Sequence, residues 1–565
     1  MTTERVNKLF HLWMNDPLVN EYTKEELRHI QNEPAEREDR FYKDLEFGTG
    51  GLRGIIGAGT NRMNIYTIAR ASQGLASFIQ ENSVEDPSIV IAYDSRNMSP
   101  EFALEAALVC AGNGIKAYLF TELRPTPELS FAVRYLKASA GIVITASHNP
   151  PEYNGFKVYG ADGGQLVTHD AAVVIEKVQE IQNFEEVKRI SRETAESNGL
   201  FKWINHELDQ AYIQEVIRCS PRQELIKHIA SDLHIVYTPL HGAGNLLVRQ
   251  ALKGIGFNHV HIVAEQELPD AQFSTVRSPN PEEKEAFVLA MAQAKHIDAD
   301  IIIGTDPDCD RMGAVVTDKL GQHVVLSGNQ IGALILYYLL SSLKEKGELP
   351  QDGVVIKTIV TSEFGKTIAT QFGIETINTL TGFKYIAEKM TQFEKEKGST
   401  FIFGYEESHG YLAGNYARDK DAVLASMLIC EAAAYYKKQG KSLLSVLQEL
   451  YTRFGYYMEK QESKTLKGKD GVEKIKKMMD TWRFNPINKI NGVDVIAIED
   501  YGLGIHGLPQ ENVLKYKLAD ESWFCLRPSG TEPKIKFYFA VKDETQEAAN
   551  SHLDIFSKYV INMMN

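Results

Sequence analysis

The stretch GIVITASHNP, at residues 141–150, joins an apolar run to a polar turn. GIVIT has the β-branched composition of a buried strand, and ASHNP supplies turn-forming residues directly after it. The same design recurs in ADIIIGTDPDCDR at residues 299–311 and in FIFGYEESHG at residues 401–410. Because ligand sites in open α/β sheets gather at the carboxyl ends of strands, these polar turns predict functional loops.

Further short β-rich runs alternate with helix-like segments of ten or more residues, such as PEFALEAALVCAG and EEKEAFVLAMAQA. This alternation predicts α/β units around largely parallel sheets. The segment WFCLRPSGTEPKIKFYFAV near the C-terminus predicts strand, loop and strand. The other predicted strands lie at residues 89–92, 234–237 and 354–359.

We place the domains at residues 1–210, 211–325, 326–455 and 456–565.

Three further segments carry local predictions. The first 45 or so residues have helical spacing, as in TKEELRHIQ and PAEREDRFYKDLE. FGTGGLRGIIGAGTNRMN holds six glycines and predicts a loop whose backbone closely approaches another group. The charged stretch at residues 459–474 indicates either a linker or the start of the last domain.

Charge and cysteine content exclude several functional classes. The chain has 565 residues and a formal net charge of −14, without the basic surplus of a duplex-DNA binder. A site that binds an anionic ligand must therefore have positively charged side chains close to it. The five cysteines form no CxxC pair, which argues against a disulfide framework or a structural zinc site. The N-terminus has no signal pattern, and no apolar run reaches the roughly 20 residues of a membrane span, so we expect a soluble, cytoplasmic protein.

The loop GTDPDCDR places Asp306, Asp308 and Asp310 at alternate positions. Three carboxylates so close repel one another, and a divalent cation removes that repulsion. Hard oxygen ligands on a short loop favour Mg²⁺, which also takes phosphate oxygens from a substrate. The glycine and glutamate of an EF-hand loop are missing. Arg311 follows directly and suits a phosphate group.

The other three loops are ambiguous one by one. Ser147 follows a strand and precedes His148, but A-S-H-N lacks the G-x-S-x-G elbow of serine hydrolases. GYEESHG carries hydrogen-bonding groups that suit sugar hydroxyls, Glu406 and Ser408 among them. RPSGTEPK offers a guanidinium, hydroxyls and flexible backbone as a phosphate cradle. Together the loops provide a metal site, a nucleophile, a sugar-binding turn and a phosphate clamp, which suits phosphoryl transfer on a phosphosugar.

In order and spacing, TASHNPPEYNGFKVYG, GTDPDCDRMG, GYEESHG and RPSGTEPKIKF resemble the four active-site loops of the α-D-phosphohexomutases. FGTGGLRGIIGAGTNRMN resembles the phosphoglucomutase branch of that family. The resemblance covers nearly the whole chain. It implies three related α/β domains plus a C-terminal α+β domain around a central cleft. It also implies one Mg²⁺ per chain, and glucose 1,6-bisphosphate as activator and intermediate.

The resemblance also implies residue roles. Ser147 would carry the phosphoryl group, and a phosphate oxygen on it would complete the metal site of the three aspartates. Arg53 and Arg311 would neutralise the transferring phosphoryl group, while His148 and Lys157 are alternative general acid/base groups. The substrate-binding residues would be Thr381, Gly382, Glu406, Ser408, Lys420, Arg527, Ser529, Gly530 and Thr531. Cys309 stands where the family more usually has Gly or Ala, which raises sensitivity to oxidation as a minor hypothesis.

The substrate implied is a small-molecule phosphosugar, with no nucleic-acid or membrane partner. We expect interconversion of glucose 1-phosphate and glucose 6-phosphate. The alternatives are phosphopentomutase or phosphomannomutase activity, glucose-1,6-bisphosphate synthesis, and a non-catalytic phosphosugar sensor. The sequence leaves open whether the protein is a monomer or a dimer.

Overall fold

The computed structural model describes residues 2–46, 51–82, 85–466, 469–529 and 534–564. These residues divide into two compact units. The first comprises residues 1–326, 387–398 and 408–435, and the second comprises residues 327–386, 399–407 and 436–565. Each unit is described by itself below.

The first sheet of the first unit is mixed. Its strands are β1 (Gly51–Ile55), β2 (Ser88–Tyr93), β3 (Lys116–Phe120), β4 (Ala140–Ile144), β5 (Tyr153–Gly160) and β6 (Phe201–Ile204). They lie in the order β1-β5-β4-β2-β3-β6. β2 pairs in parallel with β3 and β4, whereas β5 pairs antiparallel with β4 and β1. The carboxyl ends of β2 and β4 therefore lie side by side.

Helices precede this sheet, flank it and follow it in the chain. They are α1 (Thr2–Asn15), α2 (Glu21–His29), α3 (Pro34–Phe41), α4 (Ile65–Glu81), α5 (Ser99–Gly112), α6 (Thr126–Leu136), α7 (Thr168–Glu180), α8 (Arg192–Ser197), α9 (His206–Arg218) and α10 (Gln223–Ile229), with 3₁₀ turns at Phe184–Glu186 and Ala230–Asp232. Asn64 caps α4 by accepting from two backbone N–H groups, which fixes where that helix begins. Ile68 and Leu75 of α4 are fully buried with Ile91 of β2 in one apolar core.

The second sheet of the first unit holds β7 (Ile235–Thr238), β8 (Val260–Ile262), β9 (Ile301–Thr305), β10 (Met312–Thr317) and β11 (His323–Val325), in the order β11-β10-β9-β7-β8. Its helices are α11 (Gly244–Gly254), α12 (Ala264–Glu267) and α13 (Val288–Ile297), with a 3₁₀ turn at Lys284–Phe287. Phe287 packs with Ile302 and Val315 in its core. β9 and β10 are antiparallel neighbours, so the chain reverses at residues 306–311.

In the second unit, β12 (Gly353–Thr358) pairs in parallel with β13 (Glu375–Thr379) and β14 (Thr400–Glu406). Three helices of this unit are α14 (Gly328–Lys346), α15 (Glu363–Gln371) and α18 (Leu443–Phe454). Two helices, α16 (Phe383–Glu396) and α17 (Ala422–Lys438), have residues in both units, and strand β15 (Gly410–Ala413) belongs to the first. Ser327 and Gln330 form a capping box at the start of α14. Gly332 of α14 and Gly365 of α15 leave room for the Tyr405 ring, which a β-carbon at either position would meet within 2.3 Å.

The C-terminal sheet is antiparallel. It consists of β16 (Tyr456–Thr465), β17 (Lys489–Ile490), β18 (Val493–Asp500), β19 (Leu514–Leu518), β20 (Trp523–Pro528) and β21 (Lys534–Asp543), in the order β16-β21-β20-β19-β18-β17. Its helices are α19 (Lys469–Phe484) and α20 (Gln546–Met563), with 3₁₀ turns at Tyr501–Leu503 and Ile505–Gly507. Phe524, Phe539 and Phe556 pack together in its core.

The predicted fold class is confirmed: three sheets with their helices form α/β architecture, and an antiparallel sheet with two α-helices follows at the C-terminus. Two local predictions were wrong. Part of the predicted glycine loop is strand β1, because Gly51 lies so close to β5 that a β-carbon would be 1.8 Å from the Phe156 carbonyl oxygen. The first two sheets are mixed rather than largely parallel, because the loops at residues 145–152 and 306–311 return β5 and β10 antiparallel to the strands before them. The domain boundaries stay predictions.

The described part of the charged stretch at residues 459–474 belongs to regular structure, since residues 459–465 lie in β16 and residues 469–474 in α19. Residues 461, 463 and 465 of β16 are exposed and alternate with half-buried ones, which suits charged and polar side chains there. Among the described helices, none combines the length and apolar character that crossing a bilayer requires.

Candidate active site

The three aspartates lie in the turn between β9 and β10 of the first unit. Asp306 and Asp308 have no exposed surface, and Asp310 is 2% exposed. The turn is held by Asp306 Oδ1, which accepts hydrogen bonds from the backbone N–H groups of Asp310 at 3.1 Å and Arg311 at 3.0 Å. One carboxylate oxygen from each aspartate lies within 4.8 Å of the other two.

This cluster fits a hard divalent cation. Oδ1 of Asp308 and Oδ1 of Asp310 are buried and have no hydrogen-bond partner in the described parts of the chain. Burial raises the pKa of Asp306 well above its usual value, and the charges of Asp308 and Asp310 raise it further. A cation ligated by the three carboxylates would satisfy the unpartnered oxygens and remove the mutual repulsion.

Ser147 reaches this cluster from the carboxyl end of β4. Its side-chain hydroxyl donates a hydrogen bond of 2.6 Å to Asp306 Oδ2, and the residue is 4% exposed. The backbone of Ser147 has a φ of 52°, in the left-handed region that few non-glycine residues adopt. Its N–H donates to the Thr145 hydroxyl at 2.8 Å. The structure thus brings together the predicted serine and metal loop, which are 159 positions apart in sequence.

Arg96 holds the serine loop in this shape. Its guanidinium is buried and donates to four backbone carbonyl oxygens, those of Ser147 (2.5 Å), Asn149 (2.5 Å), Pro150 (2.8 Å) and Tyr153 (3.0 Å). Four converging bonds from one cation fix the loop against the end of β2.

Asp94 completes this anchor. Its Oδ2 accepts from the Thr145 hydroxyl at 2.6 Å and lies 3.4 Å from Arg96 Nε. Neither Asp94 nor Arg96 was among the residues selected from the sequence. The signal was available, because both lie in a polar turn directly after a predicted strand, as the selected loops do.

The two acid/base candidates differ in protonation. Nδ1 of His148 lies 3.3 Å from Ser147 Oγ. Burial, together with the charges of Arg311 and Arg53, holds the pKa of His148 well below its usual value. Burial also acts against a charged Lys157, but Asp308 and Asp310 outweigh it and raise the pKa of that ammonium. At neutral pH His148 is therefore uncharged and Lys157 is charged.

Lys157 and Lys420 supply positive charge against the aspartates. Lys157 Nζ lies 2.7 Å from Asp308 Oδ2 and 3.2 Å from Asp310 Oδ2. Lys420 Nζ lies 3.0 Å from Asp310 Oδ2 and 3.0 Å from Asp419 Oδ1. Two ammonium groups thus partly balance three carboxylates in a protein whose total charge is strongly negative.

The two predicted arginines of the first unit lie nearby. Nη1 of Arg53 donates to Asn149 Oδ1 at 3.2 Å, next to the serine loop. Arg311 pairs with Glu282 through Nη1, and its Nε lies 3.9 Å from Asp310 Oδ1. His409, which the sequence interpretation left without a role, accepts from the Met312 N–H through its backbone oxygen at 3.1 Å and so lies beside this turn. Ser408, next to it, is half-buried.

In the second unit, Glu406 Oε1 accepts from the N–H of Gly382 at 3.0 Å, so the predicted sugar-binding residues of these two loops meet. The Thr381 hydroxyl is buried without a hydrogen-bond partner in the described residues. Gly382 has a φ of 120°, which only glycine adopts readily.

On the C-terminal sheet, Arg527 Nε donates to Glu511 Oε1 at 3.0 Å, and the Ser529 N–H donates to the Lys534 carbonyl at 2.7 Å. Gly530 and Thr531 lie outside the described residues.

The Cys309 thiol is fully buried, and burial raises its pKa well above the usual value. A buried, protonated thiol resists oxidation, which argues against the oxidation hypothesis.

Models of the four domains of one family match the chain in order. Phosphoglucomutase/phosphomannomutase alpha/beta/alpha domains I, II and III match residues 44–185, 210–321 and 327–454. The C-terminal domain of the same family matches residues 462–555.

Individual proteins of similar sequence or structure agree with this. A phosphoglucomutase of Staphylococcus haemolyticus is 41% identical over 530 residues, covering 92% of this chain and 94% of the relative. The crystal structure of parafusin, a phosphoglucomutase from Paramecium, matches with a TM-score of 0.70 at 16% identity, over 93% of this chain and 95% of that one. An Aspergillus fumigatus N-acetylphosphoglucosamine mutase, solved with GlcNAc-6P and magnesium, gives a TM-score of 0.51 at 12% identity, over 93% and 96%. The two structures bear on the fold alone.

Proposed function

Since the chain belongs to the phosphoglucomutase/phosphomannomutase family, we propose that it is a phosphoglucomutase that interconverts glucose 1-phosphate and glucose 6-phosphate. The observation that carries this proposal is the 2.6 Å contact between the Ser147 hydroxyl and Asp306, within a buried cluster of three aspartates. In the proposed cycle, phosphorylated Ser147 gives its phosphoryl group to a hexose monophosphate, and glucose 1,6-bisphosphate forms. Ser147 then takes back the other phosphate of that sugar.

Asp306, Asp308 and Asp310 would hold one Mg²⁺ per chain, and an oxygen of the phosphorylated Ser147 would complete the ligand set. When bound, the ion stabilises negative charge on the transferring phosphoryl group. The support in this chain is the pair of buried, unpartnered carboxylate oxygens on Asp308 and Asp310. The A. fumigatus structure solved with magnesium has the same fold.

The cations around Ser147 would stabilise the transfer electrostatically. Lys157 is charged and lies against two of the aspartates, and Arg53 and Arg311 flank the serine and metal loops. Positive groups already fixed in a buried site stabilise developing charge without reorganisation. Lys420, in contact with Asp310, would reach a phosphate of the substrate.

His148 is the better general acid/base of the two candidates. A neutral imidazole has one N–H and one lone pair, so it can accept the proton of the sugar hydroxyl and donate one to the departing Ser147 oxygen. Its Nδ1 lies 3.3 Å from that oxygen. Lys157 is a poor base, because the two aspartates that it contacts stabilise its charged form.

The remaining predicted residues would bind the parts of the substrate that do not react. Glu406, oriented by the Gly382 N–H, would accept from sugar hydroxyls together with Thr381 and Ser408. The C-terminal loop that begins with Arg527 and Ser529, and includes Gly530 and Thr531, would hold the second phosphate. It must accept a phosphate at carbon 1 or carbon 6, which suits a guanidinium and hydroxyls better than a rigid pocket.

A coupled assay tests the substrate. Purified protein receives glucose 1-phosphate, Mg²⁺ and a trace of glucose 1,6-bisphosphate, with ribose 1-phosphate and mannose 1-phosphate in parallel. We expect glucose 6-phosphate to form fastest and formation to stop on chelation. Faster turnover of the pentose or of mannose would replace the glucose assignment, and no turnover of any sugar would favour a non-catalytic sensor.

Ser147→Ala tests the phosphoserine. The variant should keep its melting temperature and lose nearly all turnover, since no other hydroxyl occupies that position. Ser77→Ala is the matched control, because in the described residues the Ser77 hydroxyl bonds within helix α4, to the Gln73 carbonyl. Near-normal turnover in Ser147→Ala would defeat the proposal.

Two further predictions from the sequence remain predictions: the cytoplasmic location, and a small-molecule substrate as partner rather than a nucleic acid or a membrane.

A further inference from the structure

A second group of metal-ligating side chains lies in the first unit, on the sheet β11-β10-β9-β7-β8. His234 precedes β7, and His259 and His261 lie just before and within β8, the strand at the edge of the sheet. In the parallel register Ile235 pairs with Val260, so His234 and His259 are neighbours across the two strands. His259 and His261 are two positions apart and therefore project from the same face.

The three rings are already in contact. The His234 ring stacks on that of His259 with centroids 4.7 Å apart and planes inclined by 14°. The His261 ring lies 5.9 Å from that of His234, with planes inclined by 8°. One ligand nitrogen from each histidine lies within 4.8 Å of the other two.

Two of these imidazoles carry a buried nitrogen that bonds to nothing in the described chain. These atoms are Nδ1 of His234 and Nε2 of His261. A buried nitrogen without a partner costs free energy unless a bound group satisfies it. His259 is exposed, which gives solvent access to the group.

Local electrostatics keep the His261 ring available as a ligand. Burial lowers the pKa of His261, and the two neighbouring histidines lower it further. Neutral imidazole is the form that binds a metal ion, and like charges on three stacked rings would repel.

We infer that His234, His259 and His261 form a second metal site, which takes one divalent transition-metal ion of the zinc class. Imidazole nitrogens select such ions, whereas Mg²⁺ prefers the oxygens of the aspartate cluster. Three histidines plus a water form a known type of zinc coordination. Zn–N bonds of about 2.1 Å place ligand nitrogens roughly 3.4 Å apart, so the rings must rotate out of their stacked planes and close on the ion.

Bound there, the ion would fasten edge strand β8 to β7. β8 has three residues and pairs with β7 alone among the described strands. A ligand that binds only the folded protein stabilises it by mass action, so the site adds stability where the sheet has least pairing.

Isothermal titration with Zn²⁺ tests the site. The full chain is kept in a large excess of Mg²⁺, which lowers competition for Zn²⁺ by the aspartate cluster. We expect one Zn²⁺ per chain, with affinity falling as the pH is lowered, because protons compete with the metal ion for the imidazole nitrogens. His259→Gln and His261→Gln should each weaken binding at least 10-fold, since removing even an outer-shell partner of a metal ligand costs roughly 10- to 100-fold.

His169→Gln is the matched control, because the His169 side chain is 88% exposed and lies far along the chain from the cluster. His259 is also exposed, so its variant should fold and keep full mutase turnover. Wild-type Zn²⁺ affinity in both cluster variants would overturn the inference, as would the absence of Zn²⁺ binding by the Mg²⁺-saturated wild type. Zn²⁺ should also raise the melting temperature of the wild type and of His169→Gln, but not that of His259→Gln.

Discussion

Replacing Arg96 by lysine should slow catalysis without touching any group that contacts the substrate. Arg96 donates to four carbonyl oxygens of the serine loop, two through each terminal nitrogen. A lysine keeps the charge but has one nitrogen and three protons, so at least one of these bonds is lost. A bond from a charged donor contributes roughly 1.5–3 kcal/mol.

If the lost bond serves to position Ser147, that free energy enters the barrier and lowers kcat about 10- to 100-fold. KM for glucose 1-phosphate should change little, because the sugar-binding residues are untouched. Arg96→Met should in addition destabilise the protein by about 3–5 kcal/mol, since it leaves the buried Asp94 carboxylate without its cation.

Steady-state kinetics and thermal melting separate the two effects. Arg28→Lys is the matched control, because Arg28 pairs with Glu21 on the surface, where the side chains are 49% and 76% exposed, and such pairs contribute little. A wild-type kcat in Arg96→Lys would refute the positioning argument. A higher KM at constant kcat would refute it as well, because that pattern indicates lost ground-state binding.

Three further outcomes follow from the structure. Asp308→Asn should raise the Mg²⁺ concentration needed for half-maximal rate and lower the maximal rate, and an unchanged Mg²⁺ titration would remove Asp308 from the metal site. Burial raises the pKa of Glu459 to about 7 from 4.5. The folded state therefore binds the extra proton, and the wild type should lose about 3 kcal/mol of stability as pH rises from 4.5 through 7. Glu459→Gln should melt higher than the wild type at pH 8 but not at pH 4.5, and equal melting differences at both pH values would contradict this. Phosphorylated protein should bind Mg²⁺ more tightly than the Ser147→Ala variant in calorimetry, and equal affinities would separate the phosphoryl group from the metal site.

The sequence predicts the fold well wherever an apolar run is short, β-branched and bounded by turns. The runs at residues 89–92 and 401–404 lie within strands, and the run at residues 141–145 extends one residue beyond β4. Prediction from the sequence fails where close approach of the backbone, rather than the pattern of side chains, determines whether a segment forms a strand. Gly51 and its neighbours look like a loop by composition, yet the missing β-carbons are what allow β1 to lie against β5.

For the site, local spacing brings Asp306, Asp308 and Asp310 together without further information. The contact between Ser147 and Asp306 spans 159 positions, so only the rule that strand ends share an edge, or the family resemblance, predicts it. Arg96 could have been selected by the same rule. Its role in anchoring the serine loop could not have been predicted, because its partners are backbone carbonyl oxygens, which every residue has.

Charge balance links the metal to the phosphoserine. With all three aspartates ionised, and with only the ammonium groups of Lys157 and Lys420 counted against them, the cluster carries about one negative charge. A phosphoserine dianion alone would bring this to roughly three negative charges in a buried place. A divalent cation brought in with the phosphoryl group restores the original balance. In the proposed mechanism the aspartates would therefore do more than hold an ion: by making a phosphoryl group on Ser147 costly without the cation, they would couple phosphorylation of Ser147 to occupation of the metal site. Such coupling would allow a protein of net charge −14 to keep a phosphoryl group beside three carboxylates.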